Sequence, residues 1–492
     1  MGLAEKLLKQ KGVNAADSGM GTLANIELLS QSGYEIPPET EKNDLMIAVD
    51  ADSEKTADMA IKTGLDILNH SNKGVYDKRT YHSLDDVNLD EDSYDLVQIS
   101  LQGEYAAEEA KKAIEKGLDV FIFSDNVSIA EELELKKLGS SKGCLVMGPD
   151  AGVGLIGGVA LAAGSIVRRG EIGIIGASGS GAQEVACLIE RLGYGVSCII
   201  GTGGRDLRPE IGGITMCMGM EHLDNDDETK VICLVSKLAD TDVMSYVLSQ
   251  ADNLQKPVVA VFLGSDEALF DGHKTHYAYS LEEAALKSVE LLSGKKSAFG
   301  WTDEQIEEMT VRELSRLSSE RKHFRGIYCG GTFAEESMMI FRRSNPNMIL
   351  NSNLETIYAN RLDSHLKSNG HTILDLGSEE FTAKAPHPVF DPGLRIYRLE
   401  QEIEDPEVAI ILLDFITGPG VHENPIMPFV PFFKDHPEIV FIAAICGANG
   451  DPQDIAAARE ALEKNGVIVS DSNYQSSRLA ASLISALDRR NL

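Results

Sequence analysis

Apolar runs of strand length alternate with amphipathic stretches of helical length through the first third of the chain. Four such runs are separated by helical patterns, and they lie at residues 45–49, 95–101, 118–123 and 144–147. Short apolar strands that alternate with helices are typical of a doubly wound parallel sheet. The pattern therefore predicts an α/β domain of this type over residues 1–150. The glycine-rich stretch that follows, at 153–158, is predicted to be a loop.

Two later regions repeat one unit, in which an apolar strand leads through a glycine-rich or acidic turn into a helix. The predicted strands lie at residues 171–175, 196–200, 230–235 and 257–262 in one region, and at 326–329, 372–376, 408–413 and 439–445 in the other. We interpret this as a degenerate tandem repeat of two flavodoxin-like domains, over 151–293 and 326–492. The highly charged segment between them, 294–325, is predicted to be a solvated linker helix.

Composition narrows the choice of partners and of compartment. The chain has 492 residues and a net charge of −32, from 77 acidic and 45 basic residues. This charge argues against nucleic acid or an anionic membrane as the main partner. No apolar run has the length of a membrane helix, and the seven cysteines form no CxxC pair. We therefore expect a cytoplasmic protein without a signal peptide, with reduced thiols and no metal site.

The strongest local signal is the glycine- and serine-rich loop at residues 176–181, which follows an apolar strand and opens a helix. A helix N-terminus presents unpaired N–H groups, and glycine lets the backbone approach an anion. A similar loop opens a helix at the matching point of the other repeat. The predicted phosphate-binding residues are Ser178, Gly179, Ser180 and Gly181 in the first loop, and Gly330, Gly331 and Thr332 in the second. The alternative is that these glycines serve helix–strand packing alone.

Candidate substrate residues lie in the exit of the next strand. Gly203, Gly204, Arg205 and Asp206 form a glycine-rich turn at the carboxyl end of that strand, where open α/β sheets bind ligands. A guanidinium group can grip a carboxylate with two parallel hydrogen bonds, so Arg205 is the predicted contact to an acid substrate. The alternative is a surface arginine in a loop.

Three histidines are candidates for proton or phosphoryl transfer. His387 stands between two prolines shortly before Asp391, and this arrangement predicts a fixed active-site loop in which Asp391 binds substrate. The alternative is a structural histidine. His273 and His276 are weaker candidates for a nucleophile that accepts a phosphoryl group, because no glycine-flanked anion nest surrounds them.

Several motifs taken together resemble the FdrA family, over about residues 19 to 483. They are Glu104–Glu108, Phe123–Val127, Leu145–Asp150, Gly176–Glu184, Gly203–Leu207, Pro386–Pro388 and Asp391-Pro392. That family is similar to succinyl-CoA synthetase. The resemblance implies a CoA-binding-like Rossmann domain over 1–150, a ligase domain like that of the α subunit over 151–293, and one like the C-terminal domain of the β subunit over 326–492. It also implies that two helix N-termini, at Ser178-Gly179 and at Gly330-Gly331-Thr332, face a shared phosphate.

Three departures from the synthetase stand out. The chain has no counterpart of the synthetase's ATP-grasp domain. The phosphorylated histidine of the synthetase lies in a Gly-His-Ala-Gly-Ala setting, and the nearest match here, at residues 272–275, loses that context. The turn after the strand at 45–49 carries Asp50, Asp52 and Glu54 where the synthetase has a glycine-rich turn for the phosphates of CoA. Three carboxylates there repel a polyphosphate, although they also suit a helix N-terminus.

These departures lead to a functional hypothesis. The FdrA family is linked to oxamate carbamoyltransferase, which converts oxalurate and phosphate into oxamate and carbamoyl phosphate in allantoin breakdown. We expect the chain to be a subunit of such an oligomeric enzyme, with phosphate or carbamoyl phosphate as ligand, no covalent cofactor, and CoA disfavoured. Arg205 then holds the substrate carboxylate and His387 moves a proton. The alternatives are an acyl-CoA synthetase subunit that needs an ATP-grasp partner, and a non-catalytic scaffold subunit.

Overall fold

The computed structural model describes residues 2–21, 25–26, 29–30, 32–41, 44–70, 83–87, 94–383 and 385–490. The chain divides into two compact units, residues 1–86 and residues 87–492. The boundary falls inside the first predicted domain, 1–150. Among the described residues, no helix combines the length and the apolar character needed to cross a membrane.

The first unit is built around a two-stranded antiparallel sheet. Its elements are helix α1 (Gly2–Leu8), strand β1 (Val13–Met20), strand β2 (Leu45–Ala51), helix α2 (Glu54–His70) and a 3-10 turn (Leu84–Asp86). Strand β2 pairs antiparallel with β1. The prediction that the strand at 45–49 joins a parallel doubly wound sheet with the strands after it is therefore wrong. The apolar pattern located the strand correctly. It could not show that the strand pairs with β1, which lies earlier in the chain and runs in the opposite direction.

The second unit begins with a small parallel sheet of three strands, in the order β3-β4-β5. The elements are β3 (Leu96–Ile99), α3 (Gly103–Glu115), β4 (Asp119–Ile122), α4 (Ile129–Lys142) and β5 (Val146–Met147). Ser128 and Glu131 form a capping box at the start of α4, and Gly143 ends the helix in the left-handed conformation at φ +73°. These caps explain why the helix spans this stretch.

The next sheet has seven strands in the order β12-β11-β10-β8-β9-β6-β7. Its elements are β6 (Val153–Ile156), β7 (Val159–Ala162), β8 (Arg169–Gly176), α5 (Gly179–Arg191), β9 (Val196–Gly201), α6 (Ile214–Asn225), β10 (Val231–Ser236), α7 (Thr241–Ala251), β11 (Val258–Phe262), a 3-10 turn (Glu267–Phe270), β12 (His276–Tyr277) and α8 (Leu281–Ser293). The loop predicted at 153–158 is instead a β6–β7 hairpin. Gly157 and Gly158, at φ +57° and +80°, supply the positive φ angles that its tight turn requires.

The last sheet also has seven strands, in the order β15-β14-β16-β13-β17-β18-β19. Its elements are β13 (His323–Tyr328), α10 (Gly331–Ser344), β14 (Leu350–Ser352), β15 (Asn360–Arg361), β16 (His371–Asp375), α11 (Glu379–Thr382), α12 (Gly393–Ile403), β17 (Val408–Ile416), a 3-10 turn (Met427–Phe429), α13 (Val430–Asp435), β18 (Val440–Cys446), α14 (Ile455–Lys464), β19 (Ile468–Ser470) and α15 (Asn473–Arg490). Strand β17 is buried along its whole length, as expected for a central parallel strand covered on both faces.

Both large sheets contain the flavodoxin-like strand order 2-1-3-4-5. In the first it reads β9-β8-β10-β11-β12, and in the second β16-β13-β17-β18-β19. In such sheets the switch point lies between strands 1 and 3, so ligands are expected at the ends of β8 and β10 and of β13 and β17. This confirms the predicted α/β class and its two flavodoxin-like sheets. We call residues 151–293 the first half and residues 323–490 the second half.

The charged segment between the halves forms helix α9 (Asp303–Arg316). It is not simply solvated, because Ile306, Thr310 and Glu313 are buried and the helix packs against α15. The hydroxyl of Thr310 also hydrogen-bonds Ser482 on α15, at 2.9 Å between the oxygen atoms. One continuous apolar core runs from the β8 sheet through α5 and α10 to α15, so the two halves pack as one body.

Candidate functional site

Helix α5 begins at the switch point of the first half. Ser178 is its N-cap, and its hydroxyl oxygen accepts a hydrogen bond from the Gly181 N–H at 3.0 Å. Ser178 itself is buried, whereas Gly179 and Ser180 are partly exposed. The nearest atoms to a Cβ placed on Gly179 are 3.7 Å away. A Cβ would thus make ordinary van der Waals contact with Gly152 and Val153 without a clash. The first turn of α5 is therefore partly open, and we call it and the first turn of the matching helix in the second half the two cradles.

Helix α10 begins at the switch point of the second half and meets α5 there. The hydroxyl oxygens of Ser178 and Thr332 lie 2.6 Å apart in a buried hydrogen bond. A Cβ on Gly181 would stand 3.2 Å from the Thr332 methyl group, so a glycine at this position permits the close approach. The two predicted cradles are thus brought together into one location, with the positive ends of two helices facing it.

The two cradles differ in what already occupies their N–H groups. In the second half, the carboxylate of Asp414 accepts hydrogen bonds from the N–H groups of Cys329 (2.9 Å) and Gly330 (2.8 Å). Asp414 also pairs with Arg395 at 3.0 Å, and both side chains are buried. Gly330 is therefore reassigned from phosphate binding to fixing its own loop. Gly331 and Thr332 remain at the cradle.

Sequence reasoning missed two charged residues at this site. Lys237 directly follows β10, and its ammonium group lies 3.0 Å from a Cβ placed on Gly331. Asp375 ends β16 and approaches the same point to 2.5 Å with Oδ2. The signal was available, because both residues stand at carboxyl ends of central strands, which is where doubly wound sheets bind ligands.

Two carboxyl groups that interact electrostatically with Lys237, those of Asp375 and Asp150, have raised pKa values. Loss of hydration raises the pKa of Asp375 to about 6, and Lys237 opposes this shift. Loss of hydration and then Asp125 raise the pKa of Asp150 to about 6, although solvent still reaches this residue. Lys237 also pairs with Glu335 at 3.4 Å. A cation among several acids at a helix junction is an arrangement typical of functional sites.

Arg205 and Asp206 have structural partners. Arg205 pairs with the fully buried Glu132 at 2.8 Å and donates to the Val127 carbonyl at 2.8 Å. Asp206 is fully buried, accepts from Lys136 at 2.7 Å, and caps α6 through two backbone N–H groups. We therefore reassign Asp206 from substrate binding to anchoring α6. Arg205 is held to α4 and would have to leave Glu132 to grip a substrate.

The neighbouring glycines occupy different environments. Gly203, at φ +83°, packs directly on the Pro149 carbonyl, so it serves a close backbone approach. Gly204 is more open, and the Ala177 carbonyl beside the first cradle is 3.9 Å from a Cβ placed on it. Of these two residues, Gly204 faces the cradle.

His387 lies beside the second cradle. A Cβ placed on Gly377 would stand 2.5 Å from His387 Nε2 and 2.7 Å from the Cys329 carbonyl. His387 Nδ1 accepts from the Val389 N–H at 3.2 Å, so the neutral ring carries its proton on Nε2. Burial lowers the pKa of His387. Asp391, by contrast, accepts from the Gly393 N–H at 2.9 Å and so holds the start of α12.

The histidines of the first half lie elsewhere. His273 Nδ1 pairs with the Asp252 carboxylate at 2.7 Å, beyond the carboxyl end of α7. His276 belongs to the edge strand β12 and is exposed. Neither has a recorded contact with Ser178, Gly331 or Lys237 among the described residues.

Comparison with protein families gives the class. Residues 327–483 match the CoA-ligase model, residues 167–263 match the CoA binding domain model, and residues 1–82 match the model described as AllF, heavy metal-associated domain. The protein is therefore an α/β member of the CoA-ligase, succinyl-CoA synthetase-like class.

Relatives of known sequence narrow this further. The uncharacterized protein YahF of Escherichia coli (strain K12) is 36% identical over 501 residues, which cover 98% of this chain and 95% of YahF. The chain belongs to the YahF family, which is of the FdrA and AllF type. It is also 26% identical to the ADP-forming sulfoacetate-CoA ligase subunit SqwL of Acholeplasma sp, over 38% of this chain and 64% of that subunit. The apo dinucleotide-forming acetyl-coenzyme A synthetase 1 of Ca. Korarchaeum cryptofilum aligns at 15% identity over 89% of this chain and 94% of that chain, with a TM-score of 0.36.

Residues 1–82 offer no thiolate ligand for a heavy metal, because the first cysteine of the chain is Cys144. In the described part of the chain, no group of three or more His, Cys, Asp and Glu is arranged to hold a metal ion. We therefore derive no chemistry from a metal.

Proposed function

We propose that the chain is a subunit of an acid–thiol ligase of the succinyl-CoA synthetase type. The observation that carries this proposal is the Ser178–Thr332 hydrogen bond, which joins the N-termini of α5 and α10 at one junction. The matches to CoA-ligase and CoA-binding models agree with it. The ATP-dependent step then belongs to an ATP-grasp partner subunit, and this chain performs the exchange between acyl phosphate and CoA.

In that exchange, the thiol sulfur attacks the carbonyl carbon of an acyl phosphate. The bond between that carbon and the bridging oxygen breaks, and phosphate leaves while the thiol proton passes to a base or to phosphate. The open N–H groups of α5 and α10 stabilise the charge that develops on the leaving phosphate. His387 and Asp375 are the nearby groups able to carry a proton.

The half-reaction needs no nucleotide, so it can be tested on the full chain alone. Succinyl-CoA and acetyl-CoA are each incubated with the chain and phosphate, and release of free CoA thiol is followed. We expect release that depends on phosphate and is lost in Gly179→Asp, which places a carboxylate in the open first turn of α5. Ser245→Asp, at a partly exposed position of α7, is the matched control. Absence of both CoA release and CoA binding would contradict the ligase proposal.

A second candidate is carbamoyl transfer from oxalurate to phosphate, giving oxamate and carbamoyl phosphate. Two observations favour it. Residues 1–82 match an AllF-type model, which hints at allantoin breakdown, and His273 is tied to Asp252 away from the cradle. Phosphate would attack the ureido carbon, the bond from that carbon to the oxamate nitrogen would break, and the nitrogen would take a proton. Formation of carbamoyl phosphate from oxalurate and phosphate, without binding of CoA, would select this candidate.

A further inference from the structure

Lys237 is placed where the two halves of the chain share a ligand. It follows the buried Ser236 at the end of β10, on the opposite side of β8 from β9. Its side chain is 40% exposed and crosses from the first half to the first turn of α10, where it meets Glu335 and the Gly331 backbone. It is therefore a cation within reach of anything bound between the two helix N-termini.

Asp375 supplies the second, independent observation. The residue is only 6% exposed. Its Oδ1 accepts from the Gly377 N–H at 2.9 Å. Its Oδ2 accepts no hydrogen bond from any described residue and points at Gly331, at the N-terminus of α10. A carboxylate on a nearly buried side chain that leaves one oxygen without a hydrogen-bond partner indicates a ligand that brings a donor.

An anion without a hydrogen-bond donor can bind Lys237 and the helix N-termini but not the carboxylate of Asp375. Phosphate oxygens suit Lys237 and the helix N-termini, but they repel the Asp375 carboxylate unless a proton lies between them. A ligand that carries an N–H or O–H donor beside its phosphoryl group satisfies both sides. The chemistry of the pair therefore selects among phosphoryl compounds of equal size.

We propose that Lys237 and Asp375 form a two-ended ligand site, in which Lys237 contacts a phosphoryl oxygen and Asp375 accepts a hydrogen bond from an N–H or O–H group on the same ligand. This rests on the phosphate cradle of the proposed function. It adds the class of ligand, a phosphorylated acid derivative bearing a donor, and it makes Asp375 a specificity-determining residue.

Carbamoyl phosphate and acetyl phosphate are matched probes for the pair, because an amino group in one replaces a methyl group in the other. Each is titrated calorimetrically into the full chain. We expect carbamoyl phosphate to bind roughly tenfold or more tightly than acetyl phosphate, as one charge-assisted hydrogen bond predicts. Asp375→Ala and Asp375→Asn should reduce that preference, while Lys237→Met should weaken both probes alike.

Lys230→Met is the control, because Lys230 precedes the same strand at its other end and is exposed. Thermal unfolding of each variant checks that it is folded. Equal affinity of the wild type for the two probes, or a preference that survives both Asp375 variants, overturns the proposed Lys237–Asp375 site. Neither result contradicts phosphate binding at the cradle. Binding of neither probe to the wild type overturns the cradle and the pair together.

Discussion

The two halves share a strand order but differ in their outer strands and in the charge at their first turns. In the first half, β6 and β7 enter before β8 and the hairpin runs antiparallel to β9. In the second half, β14 and β15 come after β13 and are parallel to β16. The first turn of α5 is capped by the neutral hydroxyl of Ser178, whereas the loop before α10 is held by the carboxylate of Asp414.

This difference shows how a repeated fold builds one site from two unequal parts. The half with the neutral cap contributes the cation, Lys237, and the open backbone of Gly179. The half with the internal carboxylate contributes Asp375 and Asp414. An anion placed between them meets helix ends from both halves, but a hydrogen-bond acceptor from only one. A ligand with different groups at its two ends can therefore bind in one orientation only, which two identical cradles would not enforce.

The largest effect on stability is expected from Asp414→Ala, which tests whether the loop before α10 depends on a buried carboxylate while the cap of α5 does not. It removes the partner of the buried Arg395 and of two backbone N–H groups, and breaking a buried pair costs about 3–5 kcal/mol. We expect the free energy of unfolding, measured by denaturant titration, to fall by that amount. Ser236→Ala, at a similar strand end in the first half, should cost about 1 kcal/mol or less. Similar losses in both variants would contradict the asymmetry.

Both halves bury a glutamate in the first helix after the cap, and this should make the free energy of unfolding depend on pH. Glu184 and Glu336 are the sixth residues after the caps of α5 and α10, and both are buried. Burial raises the pKa of Glu336 to about 8, with Glu184 and Glu282 adding to the shift. Because the folded state favours the protonated acid, this contribution to stability is present at low pH and is lost as the pH rises through about 8.

The variant Glu336→Gln isolates this effect. Relative to the variant, the wild type should lose up to about 1.4 kcal/mol of unfolding free energy per pH unit between roughly pH 5 and pH 8. Denaturant titration of both proteins across that range measures the difference. Parallel pH profiles would show that Glu336 titrates normally in the folded chain.

Arg205→Met tests whether this residue serves structure or substrate. Its partner Glu132 is fully buried but is also 3.0 Å from Lys136, so the loss should be moderate, about 1–3 kcal/mol of unfolding free energy. The KM for succinyl-CoA in the phosphate-dependent release of CoA should stay within about twofold of the wild type. A KM that rises tenfold or more in a variant of normal stability would return Arg205 to the substrate site.

The smallest expected effect concerns the hydrogen bond that joins the halves. A double-mutant cycle with Ser178→Ala and Thr332→Val should give a coupling energy of about 1 kcal/mol in denaturant titration. Additive losses would mean that the two hydroxyl groups do not depend on each other.

Sequence patterns predicted more of the fold than of the candidate site. The apolar runs located the central strands of both halves, because buried parallel strands have a continuous apolar signature. They missed the β6–β7 hairpin, because glycines that suggest a loop also form a tight turn. The loops at Ser178 and Gly331 could be found from local sequence. Lys237 and Asp375 stand at strand ends that the sequence did locate, but that they meet at one point depends on strands far apart in the chain.

The ion-pair partners of charged residues could not be predicted from the sequence either. Arg205 and Asp206 stand in a glycine-rich loop that suits a ligand, yet Glu132 and Lys136 hold them. Nothing in local spacing links α4 to that loop, since about 70 residues separate Lys136 from Asp206. A charged residue in a suitable loop therefore indicates a site only once its buried partners are known.

The most direct test of the shared cradle is the stoichiometry of phosphate binding to the full chain, measured by isothermal titration calorimetry. The account predicts one phosphate per chain, with binding lost in Gly179→Asp and retained in Ser245→Asp. Two independent phosphates per chain, or binding unaffected by Gly179→Asp, would contradict the claim that α5 and α10 form a single site.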